Sequence, residues 1–362
     1  MNAFLSPSIS PKPHNGVDNR PTVAIIVPAY NAQDTLPACL NAINAMRWQA
    51  DEILLFSDGS TDDTDDIARA AGATVIRNDG DPKGPGHGRN EAARAAKSDL
   101  LLFVDADVVI SENALELLVE DMSRSGAKAA FGSYDDTPQS QRVTSLYANL
   151  RHHFVHQHSA REATTFWSGL GLVDRKVFLD AGGFDVEMFA HPSIEDVELG
   201  ARLVAAGHSI RLVPEALAKH WKDWSLWRVW HTDIVRRALP WSRLLADGKT
   251  GGADLNVSGT ERLKAIVALL TSLALMAAIL LTGAEMIGER ETPAGKLWGA
   301  AGVGFLIYGW LNRAFFGFLA RRLSPLRTLA AMAMHWCYHI YAPLTYATVM
   351  LQTKLGLRSA AS

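Results

Sequence analysis

Short apolar runs alternate with segments of helical period over the first hundred residues of the chain. Leu36, Leu40 and Ile43 recur at the spacing of a helix that buries one face. The apolar runs around them are rich in Val, Ile and Leu, which is typical of buried strands. They lie at residues 23–27, 52–56, 74–77 and 100–104. Strands that alternate with helices predict an α/β fold with a parallel, doubly wound sheet.

Polar side chains follow three of these runs at the point where each run ends. Tyr30 and Asn31 come after the first, Asp58 after the second, and Asp105 and Asp107 after the fourth. The carboxyl ends of parallel strands meet at one edge of a sheet, where ligands bind in such folds. Two carboxylates there suit a hard divalent cation that is shared with the phosphates of a substrate. The alternative for an isolated Asp-x-Asp is a solvated turn or a helix cap, which is a commoner use of Asp.

The usual phosphate-binding fingerprints are missing from this part of the sequence. No Gly-x-Gly-x-x-Gly follows the first run, and the glycine-rich stretch 80–88 lacks the Gly-Lys-Ser/Thr ending of a P-loop. That stretch is predicted as a loop that leads into a helix over 89–97. A nucleotidyltransferase would want a basic, glycine-rich loop directly after the first strand, and residues 29–36 do not provide one.

Composition excludes several classes of function but does not indicate one. The 362 residues carry a formal net charge of −3, so no general attraction to nucleic acid is expected. Cys39 and Cys337 are the only cysteines, and their separation indicates neither a disulfide framework nor a metal-ligand set. Residues 1–21 are rich in Ser, Pro and Asn and lack an apolar core, which predicts a disordered tail rather than a secretory signal.

The last third of the chain has the composition of a membrane region. Five of the ten tryptophans fall within residues 221–241 among several arginines, as expected for helices at a membrane–water interface. Three apolar segments follow as candidate transmembrane helices, at about 265–284, 297–320 and 328–352. Histidines and Pro343 interrupt the third segment, so whether it spans fully stays open.

Charge in the connections predicts the orientation of this region. Arg321, Arg322 and Arg327 lie between the second and third segments, which places that connection in the cytoplasm by the positive-inside rule. The α/β domain is then expected on the cytoplasmic face of a bacterial-type inner (plasma) membrane. The predicted organisation is a tail over 1–21, an α/β domain over 22–222, amphipathic interfacial helices over 223–262 and transmembrane helices over 263–353.

The strand-end motifs resemble those of family 2 glycosyltransferases, enzymes with the GT-A fold of nucleotide-diphospho-sugar transferases. The resemblance implies an α/β fold with a mixed, mostly parallel sheet and flanking helices, followed here by an α-helical membrane region. The matching segments are Ile26-Val27-Pro28-Ala29-Tyr30-Asn31, Ser57-Asp58-Gly59-Ser60-Thr61-Asp62, Val104-Asp105-Ala106-Asp107 and, downstream, Gly182-Gly183-Phe184-Asp185 followed by Glu195-Asp196. The likeness covers about residues 22–220 with the motifs in the family's order. It departs at Ser57, where the family usually has the first of two aspartates.

The resemblance implies a donor site for a nucleotide-sugar, with a UDP-sugar favoured and a GDP- or dTDP-sugar as alternatives. Pro28 and Tyr30 would line the base and ribose pocket, and Asp58 would hydrogen-bond the base. Arg89 lies where the family often has a basic residue near that site, and Asp105 would hold the ribose.

The resemblance also implies a Mg²⁺ or Mn²⁺ ion on the diphosphate, held by Asp107. His220 lies where family members often have a histidine near the metal and phosphates. Imidazole is a less usual ligand for Mg²⁺ than for softer metals, which favours Mn²⁺ or a phosphate contact if the histidine takes part. The alternative for a single histidine is an ordinary packed or exposed residue.

Catalysis is assigned by the same resemblance to the acidic pair Glu195-Asp196, with Asp196 as the general base. A carboxylate suits the removal of a proton from an acceptor hydroxyl. The alternative is structural, because acidic residues also stabilise the first turn of a helix. Trp167 and Gly169 lie in the part that varies within the family and are candidates for the acceptor pocket.

His152 and His156 are spaced to share one face of a helix in that variable part. A zinc site is one interpretation, but no nearby carboxylate or cysteine completes a tetrahedral set. The other is a basic amphipathic helix near the membrane surface.

Together these features predict a membrane-anchored, inverting glycosyltransferase of cell-envelope glycan synthesis. It would move a single sugar to a lipid-linked or glycan acceptor, since the Gln-x-x-Arg-Trp motif of processive members is absent at 236–241. The alternative is a non-catalytic subunit that keeps the fold and scaffolds a membrane complex, although such a chain would be expected to lose the acidic motifs that are present here.

Overall fold

The computed structural model describes residues 20–189, 191–248, 259–288 and 292–357, so most of the tail predicted over 1–21 lies outside the described residues. The strands are β1 (Val23–Ala29), β2 (Glu52–Asp58), β3 (Thr74–Asn78), β4 (Leu100–Val104), β5 (Val108–Ile110), β6 (Ala129–Tyr134), β7 (Glu162–Ala163), β8 (Leu170–Asp174) and β9 (Ile210–His220). Within the described residues they form one sheet in the order β3-β2-β1-β4-β8-β6-β9-β5, with β7 paired to β9.

The sheet has a parallel half and a mixed half. Strands β3, β2, β1 and β4 are parallel to one another. Strand β8 runs antiparallel to both β4 and β6, whereas β6 and β9 are parallel. The prediction of a mixed, mostly parallel sheet with flanking helices is confirmed.

Both faces of the sheet are covered by helices. Val23, Ile25 and Val27 of β1 belong to one core, and Ala24 and Ile26 belong to the core on the opposite face. Because both faces are buried, the strand is a continuous apolar run without alternating polar positions. The helices of this domain are α1 (Leu36–Asn44), α2 (Thr64–Ala70), α3 (Pro85–Ala95), α4 (Ala114–Ser125), α5 (Val143–His158), α6 (Arg175–Asp180) and α7 (Glu195–Ala205).

Helix α3 begins at Pro85, four residues before the predicted start at Arg89. Proline favours the first helical position, where its missing N–H costs no hydrogen bond. Gly88 then lies against β2, and a Cβ atom there would be 2.6 Å from the Phe56 ring. The glycines of this stretch therefore serve close helix–sheet packing as well as the loop that was predicted.

The C-terminal part of the described chain is helical. Its elements are α8 (Leu226–His231), a π-helix (Thr232–Ala238), α9 (Leu239–Ala246), α10 (Gly259–Met286), α11 (Ala294–Leu311), α12 (Arg313–Arg322) and α13 (Pro325–Lys354). Helices α8 and α9 and the π-helix occupy the region predicted as interfacial, although 249–258 lie outside the described residues.

Helix α10 is, among the described helices, the one that is by itself long and apolar enough to cross a membrane. Helices α11 and α12 would add a second span only as a bent pair, because they meet at an angle of 72°. The prediction of one continuous helix over 297–320 is therefore wrong. The break is at Asn312, which is buried and accepts a hydrogen bond from His335 instead of facing lipid.

Helix α13 turns a polar face inwards along the segment predicted as the third span. His335 contacts the Tyr147 hydroxyl of α5 at 3.2 Å, and the Tyr341 hydroxyl donates to Asp233 at 2.7 Å. His339 lies 3.0 Å from Glu261 of α10. The contact with Tyr147 attaches α13 to the α/β domain, whereas those with Asp233 and Glu261 attach it to the π-helix and α10. The inward contacts of His335 and His339 explain why histidines interrupt the apolar pattern of α13.

Candidate active site

The two carboxylates that follow β4 have different partners. Asp105 accepts a hydrogen bond from the Arg89 guanidinium at 2.5 Å. Asp107 lies 3.5 Å from both His220 Nε2 and Lys222 Nζ. Burial opposes ionisation of Asp107, but Lys222 and His220 together hold the pKa of its carboxyl well below its usual range. Asp107 is therefore an anion with two basic side chains beside it.

Arg89 connects the end of β4 to the start of α7. Its side chain is almost completely buried, and its Nη1 atom lies 3.6 Å from Glu195 Oε1 while Nη2 binds Asp105. Nε and Nη1 have no hydrogen-bond acceptor in the described part of the chain. A buried guanidinium with free donors can bind a further anion or oxygen ligand. The predicted donor-site arginine thus also joins two distant motifs.

Asp196 and Glu195 are neighbours in sequence but differ in surroundings. Glu195 accepts from the Ser193 N–H at 2.8 Å and faces Arg89. Asp196 accepts from the N–H of Ser168 at 3.2 Å and lines a large cavity. Burial, followed by the charge of Glu195, raises the pKa of Asp196 to about 6. A pKa of about 6 suits a proton acceptor near neutral pH.

Aromatic side chains line the same cavity as Asp107 and Asp196. Tyr134 stacks on His220 with ring centroids 4.9 Å apart, and it makes an edge-to-face contact with Trp167 at 4.6 Å. Gly169 makes this possible, because a Cβ atom there would be 2.6 Å from the Trp167 ring. Tyr134 was not predicted as a site residue. Its position at the end of β6 is the one sequence signal that could have indicated this role.

Asp58 has hydrogen-bond partners within the protein that the sequence did not indicate. Its carboxylate accepts from the backbone N–H groups of Lys83, at 2.9 Å, and Gly84, at 2.7 Å, and from Asn78 Nδ2 at 2.9 Å. It thereby fixes the loop before α3 to the end of β2. Asp58 is not among the residues that line the large cavity. Its predicted contact with a nucleotide base stays a prediction.

The other predicted residues meet in one cavity of about 1530 Å³. It begins at the carboxyl edge of the sheet and extends to α8–α10, the π-helix and α13. Among the residues that line it are Pro28, Tyr30, Arg89, Asp105, Asp107, Trp167, Gly169, Glu195 and Asp196. His220 lies beside the cavity through its contact with Asp107.

Within the described residues, no three His, Cys, Asp or Glu side chains are placed to hold a metal ion by themselves. Asp107 and His220 nevertheless face each other, and the buried Nε2 of His220 has no hydrogen-bond partner in this part of the chain. One carboxylate and one imidazole suit an ion that completes its coordination with substrate phosphates and water.

Two of the four histidines of α5, His152 and His156, pack against other side chains of the protein. His156 is buried against Phe131 and Trp167, and burial lowers the pKa of its imidazole to about 4. Burial likewise holds the pKa of His152 well below its usual range. Since His156 is buried, His152 is half-buried and burial lowers the pKa of both, these two imidazoles do not give α5 a basic surface.

Replacing Gly200 with alanine is expected to destabilise the protein by roughly 1–3 kcal/mol, as overpacking of a filled site does. A Cβ atom there would lie 2.5 Å from the backbone nitrogen of Phe166, so α7 must move away from the segment before Ser168. Thermal unfolding monitored by circular dichroism measures the effect. Gly299→Ala is the matched control, since nothing lies within 4 Å of that position. Equal melting temperatures for the two variants would contradict this account of α7.

A family model supports the earlier resemblance. The model of glycosyl transferase family 2 matches residues 24–180. The poly-beta-1,6-N-acetyl-D-glucosamine synthase of Staphylococcus aureus is 22% identical over 251 residues, which cover 64% of this chain and 59% of that protein. The chain thus spans less than two thirds of these curated relatives. The glycosyltransferase GlyG of Streptococcus pneumoniae is 28% identical over 116 residues, 31% of this chain and 38% of its own length.

Solved structures show a similar fold. A mannosyltransferase from Pyrobaculum calidifontis, in complex with GDP-Man and Mn²⁺, superposes with a TM-score of 0.50 at 18% identity. The match covers 95% of this chain and 91% of that chain, so it includes the helical region as well as the sheet.

Proposed function

We propose that this chain is a glycosyltransferase that moves a single sugar from a nucleotide-sugar to an acceptor hydroxyl at a membrane surface, since residues 24–180 match the model of glycosyl transferase family 2. The observation that carries the proposal is the position of Asp196. Its carboxylate lines the same cavity as Asp105 and Asp107, and its pKa is raised to about 6.

The chemistry follows from that arrangement. Asp196 accepts the proton of the acceptor hydroxyl while the hydroxyl oxygen forms a bond to the anomeric carbon of the donor sugar. The bond from that carbon to the diphosphate oxygen breaks, and the nucleoside diphosphate leaves on the opposite side. A single in-line displacement inverts the configuration of the sugar. Ser168 orients Asp196 by donating its backbone N–H at 3.2 Å.

The donor occupies the carboxyl edge of β1 and β4 in this proposal. Pro28 and Tyr30 border the base and ribose, and Asp105 holds the ribose while Arg89 fixes the orientation of Asp105. Asp107 and His220 are the residues that would hold a Mg²⁺ or Mn²⁺ ion. The ion supplies positive charge that offsets the negative charge of the leaving diphosphate. Lys222, 3.5 Å from Asp107, is placed to contact the same phosphates.

The membrane location rests on the helical region. The apolar side chains of α10 are largely on the outside, with only 22% of its most apolar 18-residue window buried. Water-exposed apolar surface of this extent is unfavourable, whereas a bilayer accommodates it. We place the α/β domain on the cytoplasmic face of the inner (plasma) membrane, where nucleotide-sugars are made.

A donor panel tests the proposal directly. The purified chain is mixed with UDP-, GDP- and dTDP-sugars with and without Mn²⁺, and both its melting temperature and the release of nucleoside diphosphate are recorded. We expect stabilisation by one donor class and slow hydrolysis of that donor without acceptor, which is faster with a lipid extract. No stabilisation and no turnover with any donor would favour the non-catalytic scaffold instead.

The pH dependence of kcat/KM reports the proposed base. A carboxylate with a pKa of about 6 is ionised above pH 6 and protonated below it, so activity is lost as the pH falls. At pH 5 we expect kcat/KM to be about tenfold below its plateau, since the profile follows the ionised fraction of the free enzyme. The Glu195→Gln variant removes a neighbouring negative charge and should move the midpoint to lower pH. A flat profile down to pH 5 would contradict the role of Asp196.

A further inference from the structure

The cavity has a second part that the transfer chemistry does not use. We call it the lipid-side lobe and define it by its lining from the π-helix, α8, α10 and α13. Its polar side carries Arg228, Arg236 and Arg237. Its apolar side is formed by Ala265, Ile266, Leu269, Ala342, Pro343 and Tyr346. An arginine cluster beside an apolar wall suits an amphiphile with an anionic group.

The lobe has more positive than negative charge. Asp233 is buried and already has three partners: Arg151 at 3.3 Å, Arg237 at 3.2 Å and the Tyr341 hydroxyl at 2.7 Å. Among the described residues, neither Arg228 nor Arg236 forms an ion pair or a side-chain hydrogen bond. Two guanidinium groups therefore remain available to an anion, and guanidinium groups match phosphate oxygens in geometry.

The lobe lies directly beside the proposed base. Ser193, three residues before Asp196, donates a hydrogen bond from its hydroxyl to the backbone carbonyl of Arg236 at 2.8 Å. Arg236 belongs to the seven-residue π-helix, a rare element that is frequent at functional sites. The Nε1 atom of Trp241, which also lines the cavity, is buried without an acceptor in the described part of the chain. A ligand oxygen in the lobe would satisfy it.

The far end of the lobe opens at the outside of the helical region. Ile266 of α10 and Tyr346 of α13 line the cavity and are 54% and 43% exposed. Leu270 and Leu273 continue the exposed apolar surface of α10. An apolar chain that enters here remains in contact with apolar surface from the exterior to the lobe.

We propose that the lipid-side lobe binds an acceptor in which a sugar is joined through phosphate to a lipid. The order of groups along the cavity matches the order of parts in such a molecule. The sugar hydroxyl reaches Asp196, the bridging phosphate or diphosphate binds Arg236 and Arg228, and the lipid chain follows Ile266 and Leu269 outwards. The inference names the acceptor class of the proposed transfer and rests on that function for its use, but acceptor binding itself needs no donor.

Binding of a farnesyl-diphospho-sugar to the purified full chain in uncharged detergent micelles tests this, measured without donor or metal. We expect saturable binding, and binding at least about tenfold weaker for the farnesyl glycoside that lacks phosphate, since charge-assisted hydrogen bonds are lost. Equal binding of the two would overturn the proposal. Inorganic pyrophosphate that competes as strongly as the lipid would also overturn it, because the site would then bind a free anion. Stronger binding of phosphatidylglycerol vesicles than of the probe would do the same.

Matched variants separate the lobe from the surface around it. Arg236→Gln should weaken binding of the probe about tenfold by loss of a charged donor, whereas Arg243→Gln, an exposed arginine of α9 outside the cavity, should not. Leu269 lines the lobe, so Leu269→Asn should weaken binding of the probe. Leu270 is 62% exposed and does not line the cavity, so Leu270→Asn should leave binding unchanged. Equal effects within either pair would overturn the site.

The two proposals fail in different ways. If the probe binds but no donor is turned over, the lobe stands and the transfer function is wrong. If a donor is hydrolysed through Asp196 but the probe does not bind, the function stands and the acceptor class is wrong.

Discussion

The Asp196→Asn variant is expected to lower kcat by about a thousandfold, within the range that a positioned general base contributes. Asparagine has the same shape and keeps an oxygen that accepts the Ser168 N–H, but it does not take up a proton at neutral pH. Donor affinity should stay within about twofold, because the side chain faces the acceptor part of the cavity. Single-turnover transfer and donor calorimetry on the same preparation measure the two quantities.

Asp180→Asn is the control for this experiment, since Asp180 is a surface residue that pairs only with Lys176 in the described part of the chain. It should retain full activity. Transfer by Asp196→Asn at more than a tenth of the wild-type rate would remove Asp196 from the mechanism.

The Asp107→Asn variant is expected to lose about a hundredfold in donor affinity when Mn²⁺ is present, comparable to the largest losses seen when groups around a metal are removed. An amide is a weaker ligand for a hard cation than a carboxylate, and it leaves the positive charge of Lys222 without its anion. Affinity for the donor without metal should change little. Calorimetric titrations with and without Mn²⁺ measure the difference.

Two comparisons make this result specific. Asp180→Asn should keep the full increase in affinity on addition of Mn²⁺. If the increase also persists in Asp107→Asn, the ion is held elsewhere and the proposed role of the Asp-x-Asp motif is wrong.

Much of the fold followed from local pattern. The run at residues 100–104 became β4 with the predicted bounds, and the alternation of strands with helices predicted the sheet. A buried strand needs apolar residues on both faces, and that demand is visible in any short window. The break at Asn312 was not visible, because the apolar pattern continues through it and the hydrogen bond that holds it comes from His335.

The candidate site was also predicted only in part. Asp105, Asp107 and Asp196 were identified because each follows a strand or begins a helix within a recognisable motif. The pairing of Arg89 with Asp105 and Glu195 was not identified, since Arg89 and Glu195 are 106 positions apart in the sequence. Asp58 was assigned to a ligand, but in the structure it binds the backbone of Lys83 and Gly84.

By itself, the sequence determined the order of strands and helices, the acidic groups at the carboxyl edge and the apolar character of the C-terminal region. These depend on the spacing of residue types over a few positions. The tertiary structure alone decided that Asp196 and Asp107 share a cavity, that burial beside Glu195 raises the pKa of Asp196, and that Arg236 of the π-helix meets Ser193 and lines the same cavity. Burial and charge act through distance in space, and a linear sequence carries no direct measure of that distance.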